Sequence, residues 1–208
     1  ALGFIAGFTG YFIKDELKKL GIESDFVETK GFTRINIKLT TDTETEINSQ
    51  SSKVSAENIK EFFGTLEGLN SEDTVFLSGN IIPGMESDDF VKIAEKVKQK
   101  GAKLVVDSNK DMVLNTLKYK PFIVKPNEFE LGEMFGVKPN SVEDIAKYAR
   151  KLQEMGAQNV LVSRGSKGAI LFTSNGDVLG ANIAKGKVVS TIAAGDSMLA
   201  MFVAKYDE

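Results

Sequence analysis

The sequence predicts an α/β sandwich: a mostly parallel sheet covered by helices on both faces, with a small β lid. Three features of its 208 residues carry that prediction. Short apolar runs of strand length alternate with amphipathic stretches of helical period, glycines stand where those helices should stop, and one two-residue alternation interrupts the rhythm. Strands separated by helices need crossover connections, so the strands lie parallel and are buried on both faces.

The first run, Ala1 to Gly7, reads as a buried strand. Thr9 is expected to cap a helix whose apolar face holds Phe12, Ile13, Leu17 and Leu20, with Gly21 as its stop. From Asp25 to Asn48 the helical period is lost. Arg34, Asn36 and Lys38 alternate with Ile35, Ile37 and Leu39, and Thr41-Asp42-Thr43-Glu44-Thr45-Glu46-Ile47 follows a polar turn, which describes a hairpin with one polar face. We take 25–48 as the lid inserted in a domain covering 1–208, because ligands of open α/β sheets bind at the strands' carboxyl ends, where a lid is useful.

Ser55 starts the next helix, through Ile59, Phe62, Phe63 and Leu66. Asp73–Gly79 is a short strand, followed by a helix over 88–100 capped by Ser87 and stopped by Gly101. Lys103–Asp107 and Phe122–Lys125 are strands, and a helix over Asn127–Phe135 follows. A helix capped by Ser141 runs to Met155 with Gly156 beyond it, and then comes a strand over Asn159–Ser163. A last strand, Lys187–Ser190, leads into the apolar helix containing Met198–Ala204. The opening on a strand and the stop just after an apolar run suggest a segment of a larger fold.

Composition narrows the chemistry. With 26 Lys+Arg against 29 Asp+Glu there is no basic stripe for nucleic acid. No apolar run approaches the roughly 18 residues that cross a bilayer. The absence of Cys suits a reducing cytosol and removes thiol chemistry, and the absence of His removes imidazole catalysis and His-ligated metals. Carboxylates, lysine, arginine, hydroxyls, backbone amides and a hard cation such as Mg²⁺ remain.

Three motifs could use that set. In Thr191-Ile192-Ala193-Ala194-Gly195-Asp196-Ser197, small residues occupy a strand-to-helix junction. Free amides there bind anions, while a carboxylate beside them can accept a hydroxyl proton as the amides meet the charge of a transferring phosphoryl group. Asp196 or Ser197 acting simply as a helix cap explains the same residues. In Lys125-Pro126-Asn127-Glu128-Phe129-Glu130, Asn127 and Glu130 have the spacing of a capping box, a purely structural device. Equally, an amide and a carboxylate at a strand end could hold hydrated Mg²⁺ beside phosphates. Ser163-Arg164-Gly165-Ser166-Lys167-Gly168-Ala169 reads as a glycine turn between two strands, or as a phosphate-side loop offering amides, a hydroxyl and Lys167.

In this order, and with Phe8-Thr9-Gly10, Thr33-Arg34-Ile35-Asn36, Glu44-Thr45-Glu46-Ile47-Asn48 and Leu77-Ser78-Gly79-Asn80-Ile81-Ile82-Pro83-Gly84 ahead of them, the motifs resemble the PfkB (ribokinase-like) carbohydrate kinases along the whole chain. The resemblance implies a ribokinase-like three-layer sandwich and ATP-dependent phosphorylation of a phosphorylated ketose. The acceptor it suggests is fructose 1-phosphate, giving the 1,6-bisphosphate, with tagatose-6-phosphate kinases close by. A non-catalytic sugar-phosphate or nucleotide-binding segment is the alternative from another class.

The same resemblance assigns roles residue by residue. Asp196 is the base, and Ala194 and Gly195, with Ala193 before them, form the anion hole. Asn127 and Glu130 match the Mg-phosphate motif, with the metal held through water. Ser163, Gly165 and Gly168 match the ATP-side loop, and Arg34 and Asn80 the sugar-phosphate side. A cytoplasmic enzyme using ATP and Mg²⁺, with a homodimer formed through the lid, completes what the resemblance implies. The sequence departs from the family pattern in three ways. Ala193 stands where the first Gly of Gly-Ala-Gly-Asp is usual, Ser49, Ser51 and Ser52 occupy a stretch usually containing Gly or Pro, and the family's upstream glycine-rich motif, early substrate Asp and C-terminal helices are not in the sequence. An alanine that needs positive φ at 193 is expected to strain the turn.

Overall fold

A computed structural model describes residues 1–40, 44–188 and 191–206. In chain order its elements are β1 (Leu2–Ile5), α1 (Gly7–Lys19), β2 (Asp25–Glu28), β3 (Asn36–Thr40), β4 (Glu44–Asn48), α2 (Ala56–Thr65), β5 (Thr74–Gly79), α3 (Ser87–Gln99) and β6 (Lys103–Ser108). They continue with α4 (Lys110–Thr116), β7 (Ile123–Val124), α5 (Glu128–Phe135), α6 (Val142–Glu154), β8 (Asn159–Ser163), β9 (Ala169–Phe172), β10 (Val178–Ala181) and α7 (Ala194–Tyr206). The chain divides into two units, one of residues 1–69 and 80–96, the other of 70–79 and 97–208.

The second unit is built on a six-stranded sheet of order β10-β9-β8-β7-β6-β5. β5 to β8 run parallel, and β9 and β10 complete the sheet antiparallel. Leu104, Val105 and Val106 in β6, and Ile123 and Val124 in β7, are all buried, as strands covered on both faces must be. Alternation along each strand separates the two coverings. On one face Val105, Ile123 and Leu161 pack with Leu199 and Val203 of α7. On the other, α4 contacts β6 and α5 and α6 contact β8, covering Val106, Val124, Val160 and Val162. Each fully buried aliphatic side chain contributes roughly 1.5–3 kcal/mol. Asn159 is buried without penalty, because its Nδ2 donates to Phe122 O at 2.8 Å and its Oδ1 accepts from Ser174 N at 3.0 Å.

In the first unit β1 and β2 pair in parallel, and α2 packs on both. Ser55 caps α2 in a capping box with Asn58, and Phe62 of the helix meets Phe4 of β1 with ring centroids 5.0 Å apart. β3 and β4 form an antiparallel hairpin registered from Asn36↔Asn48 to Thr40↔Glu44, with Lys38 paired to Glu46 at 2.6 Å. The hydroxyl of Ser52 bridges both backbone groups of Phe32, and that of Ser49 accepts from Ile35 N. Serines in the place of Gly or Pro therefore latch the hairpin's base rather than loosen it.

Several expectations are corrected. The hairpin begins at Asn36, since Asp25–Glu28 is a separate strand against β1. Of the expected run Thr41–Ile47, residues 41–43 lie outside the described residues. Ala6, not Thr9, is the N-cap of α1; Thr9 sits inside the helix and donates to Thr33 O at 2.8 Å. The expected apolar face of α1 is open, with Phe12 64% and Leu20 74% exposed, because the helix meets β1 through Gly10, where a Cβ would stand 2.8 Å from Ile5 Cβ. Ser87 is the first residue of α3 rather than its cap. Lys187 and Val188 are not strand, and Val189 and Ser190 lie outside the described residues.

Candidate active site

Parallel register delivers three chemically active strand ends to one edge of the six-stranded sheet. β6 ends in Asp107-Ser108, β7 continues into Lys125, and beyond it Asn127 bridges to Ser163 at the end of β8. Lys125 is only 8% exposed, and its Nζ lies 3.1 Å from Asp107 Oδ2. A buried ammonium needs such a partner.

The first turn of α7 sits over this pair. A Cβ built on Gly195 would stand 3.1 Å from Lys125 Nζ, so glycine leaves the close approach of turn and ammonium open. The exposed carboxyl of Asp196 lies against that of Asp107. Burial pushes the Asp107 carboxyl above its ordinary value; Lys125 opposes the shift and Asp196 adds to it. A buried ammonium paired with one carboxylate, and a second carboxylate against the first, form a cluster suited to holding or moving a proton.

The turn entering α7 is strained as anticipated. Ala193 has φ +57°, one of two left-handed non-glycine residues among those described. Its carbonyl accepts from Ser197 N at 2.9 Å, while Ala194 N donates to Thr191 O at 3.3 Å. The amide of Ala194 is therefore engaged within the turn. Those of Gly195 and Asp196 have no acceptor among the described residues, which makes them the open donors of the helix N-terminus.

At α5 the two readings of Asn127 and Glu130 meet. Glu130 N donates to Asn127 Oδ1 and Asn127 N donates to Glu130 Oε2, both at 2.8 Å, a complete capping box. The Ser163–Ala169 segment is the expected turn, closed by Arg164 N to Gly168 O at 2.8 Å. Gly168 has φ +84°, and a Cβ there would stand 1.9 Å from Ala181 O, so no other residue fits. Lys167 is not a free cation: with Arg164 it pairs with Glu128, at 3.5 and 2.7 Å, pinning the turn to the start of α5. Arg164, first, holds the Glu128 carboxyl below its ordinary value. Arg34 and Asn80, both exposed, belong to the other unit.

Asp107 and the Asp107–Lys125 pair were missed in the sequence. Each charge ends an otherwise apolar, buried strand, but nothing in the sequence pairs the two.

A sequence model of the pfkB family carbohydrate kinases matches residues 1–208. The chain belongs to this family. It is 47% identical to the 1-phosphofructokinase of Bacillus subtilis, over 98% of this chain and 67% of that one. It is 38% identical to the D-tagatose-1-phosphate kinase of Bacillus licheniformis, over 100% of this chain and 68% of the relative. A crystal structure from Staphylococcus aureus, provisionally named a phosphofructokinase, superposes with a TM-score of 0.86 at 41% identity, covering 99% of this chain and 67% of that one. The ribokinase-like α/β fold with its mostly parallel sheet is thereby shown. In this pfkB kinase, no group of three or more acidic side chains suited to a metal occurs among the described residues, and no described helix is long and apolar enough to cross a membrane.

Proposed function

We propose that the full-length protein transfers the γ-phosphoryl group of ATP to a phosphorylated ketose, with fructose 1-phosphate as the acceptor. The observation that carries this reading is the carboxylate of Asp196 at the uncapped N-terminus of α7, beside the Asp107–Lys125 pair. Asp196 accepts the proton of the attacking hydroxyl as the new P–O bond forms and the bond to ADP breaks. The open amides of Gly195 and Asp196, with Lys125 beneath them, meet the charge on the transferring group. Ala194 and Ala193 shape that turn.

Ser163, Gly165 and Gly168 line the ATP side, and Arg34 and Asn80 serve the sugar phosphate. A guanidinium suits that role through its planar fork. Mg²⁺ would neutralise phosphate charge. It fits as a hydrated ion reached through water by Glu130, whose Oε1 has no partner among the described residues, with Asn127 fixing the carboxylate. A homodimer through the lid would cover Ile37, Leu39 and Ile47, an exposed apolar face of the hairpin. The lack of Cys suits a cytoplasmic setting.

A second reading, a tagatose phosphate as acceptor, is favoured by the relative named D-tagatose-1-phosphate kinase. A coupled ADP-release assay on the full-length protein with fructose 1-phosphate, tagatose 1-phosphate and tagatose 6-phosphate separates the two. The highest kcat/KM is expected for fructose 1-phosphate. Binding of ATP and sugar phosphate without turnover would support the non-catalytic alternative instead.

A further inference from the structure

Arg34 stands on a short segment whose backbone is bonded on both sides of it. On the N-terminal side, Thr33 is joined to the start of α1 at its hydroxyl, its amide and its carbonyl. Thr33 Oγ1 accepts from Ala6 N at 2.9 Å, Thr33 N donates to Ala6 O at 2.8 Å, and Thr33 O accepts from Thr9 Oγ1 at 2.8 Å. On the C-terminal side, Ile35 N donates to Ser49 Oγ at 3.0 Å. Phe32, one residue before Thr33, is bound through both backbone groups to Ser52 Oγ.

The helix is shaped to receive this segment. A Cβ on Gly10 would stand 2.8 Å from Thr33 Oγ1, and one on Gly7 2.7 Å from Gly31 O, so a side chain at either position would push the segment away. The hydroxyl of Thr9 faces two carbonyls, Ala6 O at 3.4 Å and Thr33 O at 2.8 Å, and the bond that leaves the helix is the better made. Ala6, the N-cap of α1, offers no side-chain cap of its own, and its amide is satisfied by the hydroxyl of Thr33 instead. Between these ties the side chain of Arg34 is exposed, and its guanidinium has no hydrogen bond or ion pair among the described residues. The backbone is fixed and the cation is left open.

We infer that Thr33 and Thr9 are positioning residues for the phosphate already on the acceptor sugar: by clasping the backbone on which Arg34 stands, they fix where its guanidinium can reach. The inference rests on the proposed role of Arg34. An arginine that engages a phosphate gives up conformational freedom, and a backbone ordered beforehand leaves less to give up, which strengthens binding of that one ligand. The Phe8-Thr9-Gly10 and Thr33-Arg34-Ile35-Asn36 runs, far apart in the sequence, then serve one purpose.

The test is steady-state kinetics of the full-length protein with ATP and fructose 1-phosphate, comparing wild type with Thr33→Val, Thr33→Ser, Arg34→Ala and the double variant Thr33→Val/Arg34→Ala. Valine keeps the shape of threonine and removes the acceptor for Ala6 N. In Thr33→Val, KM for fructose 1-phosphate is expected to rise about fivefold or more while KM for ATP and kcat stay within about twofold, and Thr33→Ser should bring that KM back to within about twofold of wild type. In the Arg34→Ala background the valine should add less than about twofold, since a clasp that acts through Arg34 has nothing left to position. The same factor in both backgrounds, an unchanged KM for fructose 1-phosphate in Thr33→Val, or an equal rise in both KM values overturns the inference and leaves the reading of Arg34 standing. A wild-type KM for fructose 1-phosphate in Arg34→Ala overturns that reading, and the inference with it. Should Thr33→Val fail to fold, Thr9→Val decides, because it removes only the bond to Thr33 O: a rise of about twofold or more in KM for fructose 1-phosphate alone supports the clasp, and an unchanged value overturns it.

Discussion

Helices α5 and α7 both begin at the carboxyl edge of the same sheet, and each carries a carboxylate in its first turn, yet they begin in opposite ways. α5 closes on itself: Asn127 and Glu130 satisfy each other's amides, and Glu128 is held by Arg164 and Lys167. α7 enters through the left-handed Ala193, and no side chain among the described residues accepts from the amides of Gly195 or Asp196. A helix start that has spent its donors on its own side chains is explained by folding. One that leaves them open, over a buried ammonium, has capacity left for a ligand. The difference supports the proposal that α7 meets the transferring phosphoryl group, while the start of α5 is accounted for by its own capping.

Variants at the two helix starts should therefore behave unlike one another. The largest effect is expected at Asp196→Asn, which keeps the shape and removes the proton acceptor; kcat in a coupled assay should fall by roughly 10²–10⁴-fold. Arg34→Ala comes next. Loss of a charge-assisted phosphate contact, about 1.5–3 kcal/mol, should raise KM for the sugar phosphate by about 10- to 100-fold and leave KM for ATP within twofold in steady-state kinetics. Lys125→Met removes the cation that offsets the Asp107–Asp196 pair. The Asp107 carboxyl, which burial already raises and Lys125 pulls back down, then ionises less readily, so the acid limb of the pH–rate profile should move to higher pH. An unmoved limb would detach Lys125 from the base.

At α5 the change should appear in stability instead. Asn127→Ala should cost about 1 kcal/mol in urea denaturation, and Asn127→Ser, which still caps, should restore both stability and turnover. If Ser restores stability but not turnover, Asn127 touches the reaction and the contrast between the helices weakens. The smallest effect belongs to Ala193→Gly. Relief of a left-handed alanine amounts to about 1 kcal/mol, offset in part by the entropy of the added glycine, so a modest rise in turnover with little change in melting temperature is expected.

Much of this was legible in the sequence for definite physical reasons. β8 falls on Asn159–Ser163 as expected, because a buried parallel strand is an apolar run with sharp ends. α6 runs between the expected Ser141 cap and Met155, because a long amphipathic period with a capping serine leaves little choice. α4 was missed: its seven residues hold too few turns for a period to show, and its Asn109 cap looked like loop. β10 was missed because all four of its residues are exposed and carry no alternation. The open face of α1 could not be anticipated, since contact through Gly10 replaces the apolar stripe that the period suggested. In the site, Asp196 and the strained turn were readable as local motifs. The pairing of Lys125 with Asp107 was not, because residues on neighbouring strands meet only once the sheet has formed.

The central claim is that Asp196 moves a proton and does not hold ATP. It is tested most directly by measuring ATP affinity and turnover side by side in Asp196→Asn and wild type of the full-length protein, by isothermal titration and coupled assay at the same pH. ATP affinity within about threefold of wild type, with turnover lost by 100-fold or more, is the predicted result. Affinity and turnover falling together, or turnover close to wild type, would contradict it.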